Sequence, residues 1–114
     1  MQKHLLWIGC GKLSDHSAMS LYVSAIIKCK KGHVKAMKAL LYNLVDASRN
    51  EKACLRFDLF QSVKDTNVFI LEAEWLEQSW FELYAQQEYV NQFYLTAKQM
   101  MERDVEVIMS NKLT

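Results

Sequence analysis

The 114-residue sequence contains no proline, only three glycines and only three cysteines. It has no Gly-rich nucleotide-binding loop, no CxxC pair and no two histidines at the spacing of metal ligands on a helix. The cysteines are odd in number and widely spaced: Cys10, Cys29 and Cys54. A disulfide framework and a structural zinc site are therefore not expected, and a reducing cytoplasm is the compartment that fits best.

Charge is nearly balanced, with 14 basic and 13 acidic residues and a net charge of +1. This balance gives no broad field for nucleic acid or for an anionic membrane, so neither is expected as a partner. The apolar run from Leu5 to Ile8 is shorter than the roughly seven residues that a signal peptide needs. No window approaches the roughly 18 apolar residues of a membrane span. Residues 1–20 are predicted to be an N-terminal extension, and residues 21–114 a single domain.

Strand and helix patterns follow one another from Leu21 onward. Strands are predicted at LYVSAIIKCK, CLRFDLFQSV, NVFILEAEWL and VEVIMSNKL. Helices are predicted at HVKAMKALLYNLVDAS, EQSWFELYAQQ and EYVNQFYLTAKQMM. The first helix carries one apolar stripe: Val34, Met37, Leu41, Leu44, Val45 and Ser48. In the second strand, Leu55, Phe57 and Leu59 are predicted on the buried face, because polar residues alternate with them.

The order strand, helix, strand, strand, helix pair, strand predicts an α+β fold. It is the ferredoxin-like split βαβ arrangement, with an antiparallel sheet. Helices of the same chain cover only one face of such a sheet. NVFILEAEWL carries apolar residues on both faces, so the other face needs a cover. A second copy of the sheet is the predicted cover, which gives a homodimer of the dimeric α/β-barrel type.

The run SRNEKACLRFDLFQSVKDTNVFILEAEW resembles the antibiotic biosynthesis monooxygenase (ABM) domain family, including its quinol monooxygenases. That family typically has a Lys-x-Gly or Pro-Gly turn after its first strand, a Ser-Arg-x-Glu-x-Gly-Cys segment and a strand that ends in Glu-Trp. Lys31-Gly32 matches the turn, and the resemblance extends over about residues 21 to 112. The other matching positions are Ser48, Arg49, Glu51, Cys54, Asp58, Gln61, Glu74 and Trp75.

The resemblance implies a homodimer with sheets packed face to face and a small aromatic substrate. It also implies the insertion of one oxygen atom of O2 into a quinol or polycyclic phenol, with no cofactor and no metal. A deprotonated substrate of that kind can itself pass an electron to O2. The protein then needs a dry apolar pocket, an orienting hydrogen bond and a group that takes the proton. The alternative is a non-catalytic dimeric domain that binds a small apolar ligand.

The stretch FELYAQQEYVNQF is dense in aromatic rings, and its tyrosines Tyr84 and Tyr89 stand where many ABM members have histidine. Both are predicted as catalytic groups that orient a substrate hydroxyl and steady the phenolate. A phenol with a pKa of about 10 is a poor base at neutral pH, so the base itself is left to water or to the substrate's own ionisation. The predicted substrate-binding residues are Phe57, Leu71, Trp75, Phe93 and Ala97. For the phenylalanines of this stretch, ordinary core packing is the alternative interpretation.

Overall fold

The computed structural model describes residues 20–114, so residues 1–19 of the predicted N-terminal extension lie outside the described part. Strands and helices follow in the predicted order. The strands are β1 (Leu21–Lys28), β2 (Cys54–Gln61), β3 (Val68–Trp75) and β4 (Glu106–Ser110). The helices are α1 (Val34–Ser48), α2 (Gln78–Ala85) and α3 (Glu88–Lys98). No helix within residues 20–114 is both long enough and apolar enough to cross a bilayer.

The four strands form one sheet in the order β2-β3-β1-β4, and every neighbouring pair is antiparallel. Strands β1 and β3 pair along their whole length, from Leu21 opposite Trp75 to Lys28 opposite Val68. The two central strands are therefore not consecutive in the chain, which is the mark of the split βαβ arrangement. The predicted α+β ferredoxin-like fold is confirmed.

The core lies between the helices and one face of the sheet. On β3 every second residue is buried, and these residues face the apolar stripe of α1. The predicted stripe is confirmed: Met37, Leu41, Leu44, Val45 and Ser48 are buried, and Val34 packs against the core. Because one face of each element collects the apolar side chains, the core fixes how the helices lie on the sheet.

The start of β2 departs from the predicted alternation. The pairing with β3 shifts between Cys54 and Arg56, so Leu55 is an extra residue in a β-bulge. The bulge turns the Leu55 side chain outward, and 52% of it is exposed. The prediction that Leu55 faces the core is therefore wrong, because a bulge interrupts the two-residue period that places side chains on alternate faces.

Helix α3 and strand β4 are shorter than the sequence pattern predicts. The helix ends at Lys98, because Met101 forms a bridge with Cys29 and the Lys30 N–H donates to the Met100 carbonyl oxygen at 2.8 Å. These residues therefore extend the pairing of β1 instead of adding a helical turn. At the chain's end, β4 stops at Ser110, which pairs with Tyr22 near the beginning of β1.

The face of the sheet opposite the helices, called the open face below, is half-exposed. An apolar stripe crosses three adjacent strands on this face, because Phe60 pairs with Ile70 and Ile70 pairs with Ile26. Phe60 is 50% exposed, and the two isoleucines are half-buried. Within residues 20–114 the helices cover only the core face.

Candidate functional site

A cleft of about 420 Å³ opens where β3 ends and the chain turns into α2. One wall is the loop between α1 and β2, and the other is the exposed side of α2. The residues that line it are Asn50, Glu51, Lys52, Ala53, Trp75, Trp80, Leu83, Tyr84 and Gln87. One wall is mostly polar and the other is aromatic and aliphatic. A flat molecule with a polar edge suits such a cleft.

The polar wall is held by hydrogen bonds on both sides of Glu51. The Glu51 N–H donates to the Ser48 carbonyl oxygen and the Cys54 N–H donates to the Glu51 carbonyl oxygen, each at 3.1 Å. Arg49 ties the end of α1 to β2, donating Nε to the Phe57 carbonyl oxygen at 2.8 Å and Nη2 to Asp58 at 3.1 Å. The loop therefore presents Glu51 in a fixed position.

The floor of the cleft is a close, tilted pair of aromatic rings, with 38° between their planes. The ring centroids of Trp75 and Tyr84 lie 4.5 Å apart, and Phe81 lies about equally far from both, at 5.9 and 6.1 Å. Tyr84 also meets Phe57 and Tyr89 edge to face, at 6.2 and 6.1 Å. Such offset and edge-on pairs add stability beyond the area that they bury. The floor is therefore a packed aromatic cluster.

The indole nitrogen of Trp75 is a buried donor with no acceptor among residues 20–114. Trp75 is 1% exposed and lines the cleft. A buried N–H without an acceptor costs about 1–3 kcal/mol, and few such groups occur in folded proteins. Their presence calls for an explanation, and an oxygen atom of a bound ligand is one that suits a cleft-lining residue.

The hydroxyl of Tyr84 points into the protein. It shares a hydrogen bond of 2.7 Å with the hydroxyl of Ser48, which is fully buried at the end of α1. Burial raises the pKa of the Tyr84 phenol far above its ordinary value, although the bond with Ser48 opposes that shift. Tyr84 is therefore a neutral phenol that contributes its ring to the cleft floor.

Tyr89 and Gln87 converge on one carboxylate oxygen of Glu51. The Tyr89 hydroxyl donates to Oε2 at 2.6 Å, and the Gln87 side-chain amide donates to the same oxygen at 2.9 Å. Burial raises the pKa of Tyr89 first of all, and the hydrogen bond to Glu51 raises it further. Tyr89 therefore keeps its proton at neutral pH. It acts as a hydrogen-bond donor to the Glu51 carboxylate and not as a base.

The predicted site residues lie in two places. Trp75 and Tyr84 line the cleft, and Tyr89 reaches it through Glu51. The remaining predicted residues do not line the cleft: Phe57, Leu71 and Ala97 are buried in the core, and Phe93 packs against it half-buried. Contact of these seven residues with a substrate stays a prediction.

Sequence reasoning did not select Glu51, Gln87 or Ser48 as site residues. Glu51 lies in SRNEKAC, a segment that matches the family pattern. Its role could not be predicted from that segment, because its two donors are 36 and 38 residues further along the chain. Gln87 follows a short helix and has no motif of its own. Within residues 20–114 no group of three His, Cys, Asp or Glu side chains is arranged to hold a metal ion.

These features define a small ferredoxin-like α+β domain with an aromatic cleft at one end of its sheet. The sequence profile of the family described as "Antibiotic biosynthesis monooxygenase" matches residues 20–95, more than half of the chain. The chain therefore belongs to the antibiotic biosynthesis monooxygenase family. Comparison with curated protein sequences gives no match.

Solved structures with the same fold span nearly the whole described domain. PA3566 from Pseudomonas aeruginosa is 26% identical with a TM-score of 0.80, covering 88% of this chain and 100% of that chain. A crystal structure described as antibiotic biosynthesis monooxygenase is 23% identical with a TM-score of 0.79, covering 82% and 99%. Rv0793 from Mycobacterium tuberculosis is 18% identical with a TM-score of 0.79, covering 83% and 96%. At such identities, the last two matches support the fold alone.

Proposed function

We propose that this protein is a cofactor-independent monooxygenase that oxidises a quinol or a polycyclic aromatic phenol with O2. The observation that carries the proposal is the cleft itself, which joins an aromatic floor to a carboxylate held by two hydrogen bonds. Family membership supports a monooxygenase-like activity. The shape and chemistry of the cleft support the narrower substrate class.

A flat aromatic substrate suits the walls of the cleft. Its rings would lie on Trp75 and Tyr84 and against the exposed side chains of Trp80 and Leu83. Its oxygen atoms would face Glu51, and the buried indole N–H of Trp75, which has no acceptor among residues 20–114, is a second candidate donor to them. Aromatic stacking supplies affinity, and the two polar groups fix the orientation of the reacting ring.

The reaction needs no outside reductant when the substrate is a quinol. The ionised substrate passes an electron to O2, and the radical pair combines to form a carbon–oxygen bond. One oxygen atom stays on the ring and the other leaves as water, so that hydroquinone and O2 give hydroxyquinone and water. All the electrons come from the substrate. The protein contributes orientation, exclusion of water and proton transfer.

The proposal predicts oxygen consumption by the purified protein with electron-rich phenols. We expect rates well above autoxidation for members of a panel of hydroquinones and anthrones in an oxygen electrode, and no acceleration for their methyl ethers. A heat-denatured sample at the same concentration is the control. Rates equal to protein-free autoxidation across the panel would contradict the oxygenase proposal.

A second candidate is a non-catalytic domain that binds a small apolar ligand. It is favoured by the raised pKa values of Tyr84 and Tyr89, the residues that replace family histidines, because neither takes up a proton at neutral pH. In the panel above, this candidate predicts quenching of tryptophan fluorescence by the same compounds without oxygen consumption.

We also propose a homodimer that packs the open face of one sheet on that of a second copy. The apolar stripe of Phe60, Ile70 and Ile26 supports it, because this face is otherwise half-exposed. A stable interface of this kind buries on the order of 800 Å² per partner. The free thiols of Cys29 and Cys54 agree with a reducing cytoplasm as its compartment.

The variant Ile70→Lys is expected to convert the dimer into a monomer. It places a charge in the middle of the apolar stripe, where burial against a second copy would cost desolvation of the ammonium group. Sedimentation velocity at micromolar concentration measures the change as a halved mass. Leu95→Lys, at a 53% exposed position on α3, is the control and should stay dimeric. A wild-type monomer would contradict the dimer proposal.

A further inference from the structure

The two carboxylate oxygens of Glu51 differ in their hydrogen bonds. Its Oε2 accepts two hydrogen bonds, from Tyr89 and Gln87, while no donor among residues 20–114 reaches Oε1. The side chain is half-buried and lines the cleft. One oxygen atom is therefore anchored and the other is available to a ligand.

We infer that Glu51 is the residue that accepts the hydroxyl proton of the bound aromatic, with Tyr89 and Gln87 as its positioning residues. This inference rests on the proposed function. The proton moves from the substrate oxygen to Oε1, and the electron pair of the broken O–H bond stays on the substrate as phenolate. The protonated carboxyl then returns the proton to water at the mouth of the cleft.

Glu51 is the one carboxylate among the described residues that line the cleft, and the other ionisable groups there do not compete with it. The Tyr84 hydroxyl is hydrogen-bonded to the buried hydroxyl of Ser48, although the Tyr84 ring lines the cleft. Lys52 is exposed, and its ammonium group can only favour the phenolate that forms beside it. The proton therefore has one acceptor in reach.

The geometry of the anchored oxygen fits a carboxylate that is held for proton transfer. The 2.6 Å separation between the Tyr89 hydroxyl and Oε2 is in the range of a hydroxyl that donates to an anionic oxygen. Two donors from the chain that follows α2 restrain a carboxylate carried by the loop that precedes β2. Such restraint keeps Oε1 directed at one position, which is what efficient general base catalysis requires.

The test compares Glu51→Gln with wild type on two groups of phenols. For phenols whose pKa lies above the assay pH, we expect kcat/KM to fall about a hundredfold. For chlorinated hydroquinones already ionised at that pH, which still reduce O2, we expect the two proteins to be alike, because no proton remains to be removed. Glu82→Gln, on α2 outside the cleft lining, is the matched control. An equal loss for both groups of phenols would overturn the inference, since it would indicate a structural role.

The variant Tyr89→Phe tests whether Tyr89 positions the Glu51 carboxylate. It also replaces Glu51→Gln as the test variant if Glu51→Gln does not fold. It keeps the ring and, among residues 20–114, leaves Gln87 as the only donor to Oε2. We expect kcat to fall about tenfold for un-ionised phenols, with KM little changed and no loss for ionised ones. A loss that is the same for both groups would overturn the positioning role.

A binding measurement tests the role of Glu51 even if the wild-type protein consumes no oxygen. Failure of this inference can therefore be distinguished from failure of the oxygenase proposal. The measurement is quenching of tryptophan fluorescence by 1-naphthol and by its methyl ether. Wild type should bind the naphthol about tenfold more tightly, because only a hydroxyl can donate to Oε1. Glu51→Leu should abolish that preference. Equal affinity of wild type for both ligands would overturn the inference.

Discussion

Replacement of Trp75 by alanine is expected to lower the free energy of unfolding by about 3–5 kcal/mol, the usual cost of deleting a large buried aromatic ring. The indole is 1% exposed and packs against the tilted rings of Tyr84 and Phe81, with centroids 4.5 and 5.9 Å away. Its removal leaves a cavity that these rings cannot fill without losing their packing on the sheet. Urea unfolding followed by far-ultraviolet circular dichroism, at one fixed protein concentration, measures the loss.

The control for this prediction is the same change at Trp80, which is 45% exposed on the cleft wall. Trp80→Ala should cost less than about 1 kcal/mol, because no closed cavity forms at the surface. Similar losses for the two variants would show that Trp75 is not the packed floor of the cleft.

Replacement of Trp75 by phenylalanine is expected to lower kcat by about 10²–10³-fold, the usual effect of removing one preorganised donor to a developing oxyanion. The change keeps an aromatic ring on the cleft floor but removes the indole N–H, for which the described residues 20–114 provide no acceptor. Stability should fall less than in the alanine variant, because the phenylalanine ring fills most of the space that the indole leaves. Steady-state oxygen uptake gives kcat.

Phe69→Leu is the matched control, since Phe69 is a fully buried core residue outside the cleft lining. It should reduce stability through a cavity and leave kcat nearly unchanged. If Trp75→Phe lost stability and kept full turnover, the indole N–H would have no part in the reaction, and its lack of an acceptor would need another explanation.

Most of the fold follows from local pattern in the sequence. The apolar stripe on α1 and the alternation along β3 are clear signals in the sequence, because each of these elements buries one face against the core. Leu55 was misplaced because a bulge depends on how β2 meets β3, and such pairing leaves no trace in the residues of β2 alone. The end of α3 was misplaced for a similar reason: Met101 pairs with Cys29, far away in the chain.

The candidate site was less predictable than the fold because its polar groups are joined across the chain. The pattern picked out Tyr84 and Tyr89 by their aromatic rings and family positions, but could not show that Ser48 and Glu51 engage their hydroxyls. It also could not show that the Trp75 indole N–H finds no acceptor in the described part of the chain, which is a property of the packed interior. Residue type indicates what a side chain can do, and tertiary packing decides which of its atoms are still available.

The most direct test of the proposed monooxygenase is a single turnover of a hydroquinone under ¹⁸O₂, with mass spectrometry of the product and of the water. The account predicts that one ¹⁸O atom is bonded to a ring carbon of the hydroxyquinone and that the other appears in water. The yield of labelled product should rise in proportion to the amount of protein. The same experiment in H₂¹⁸O under ordinary O2 should leave the new ring oxygen unlabelled when the product is analysed before exchange. A yield of labelled product no greater than in the protein-free sample would contradict the account.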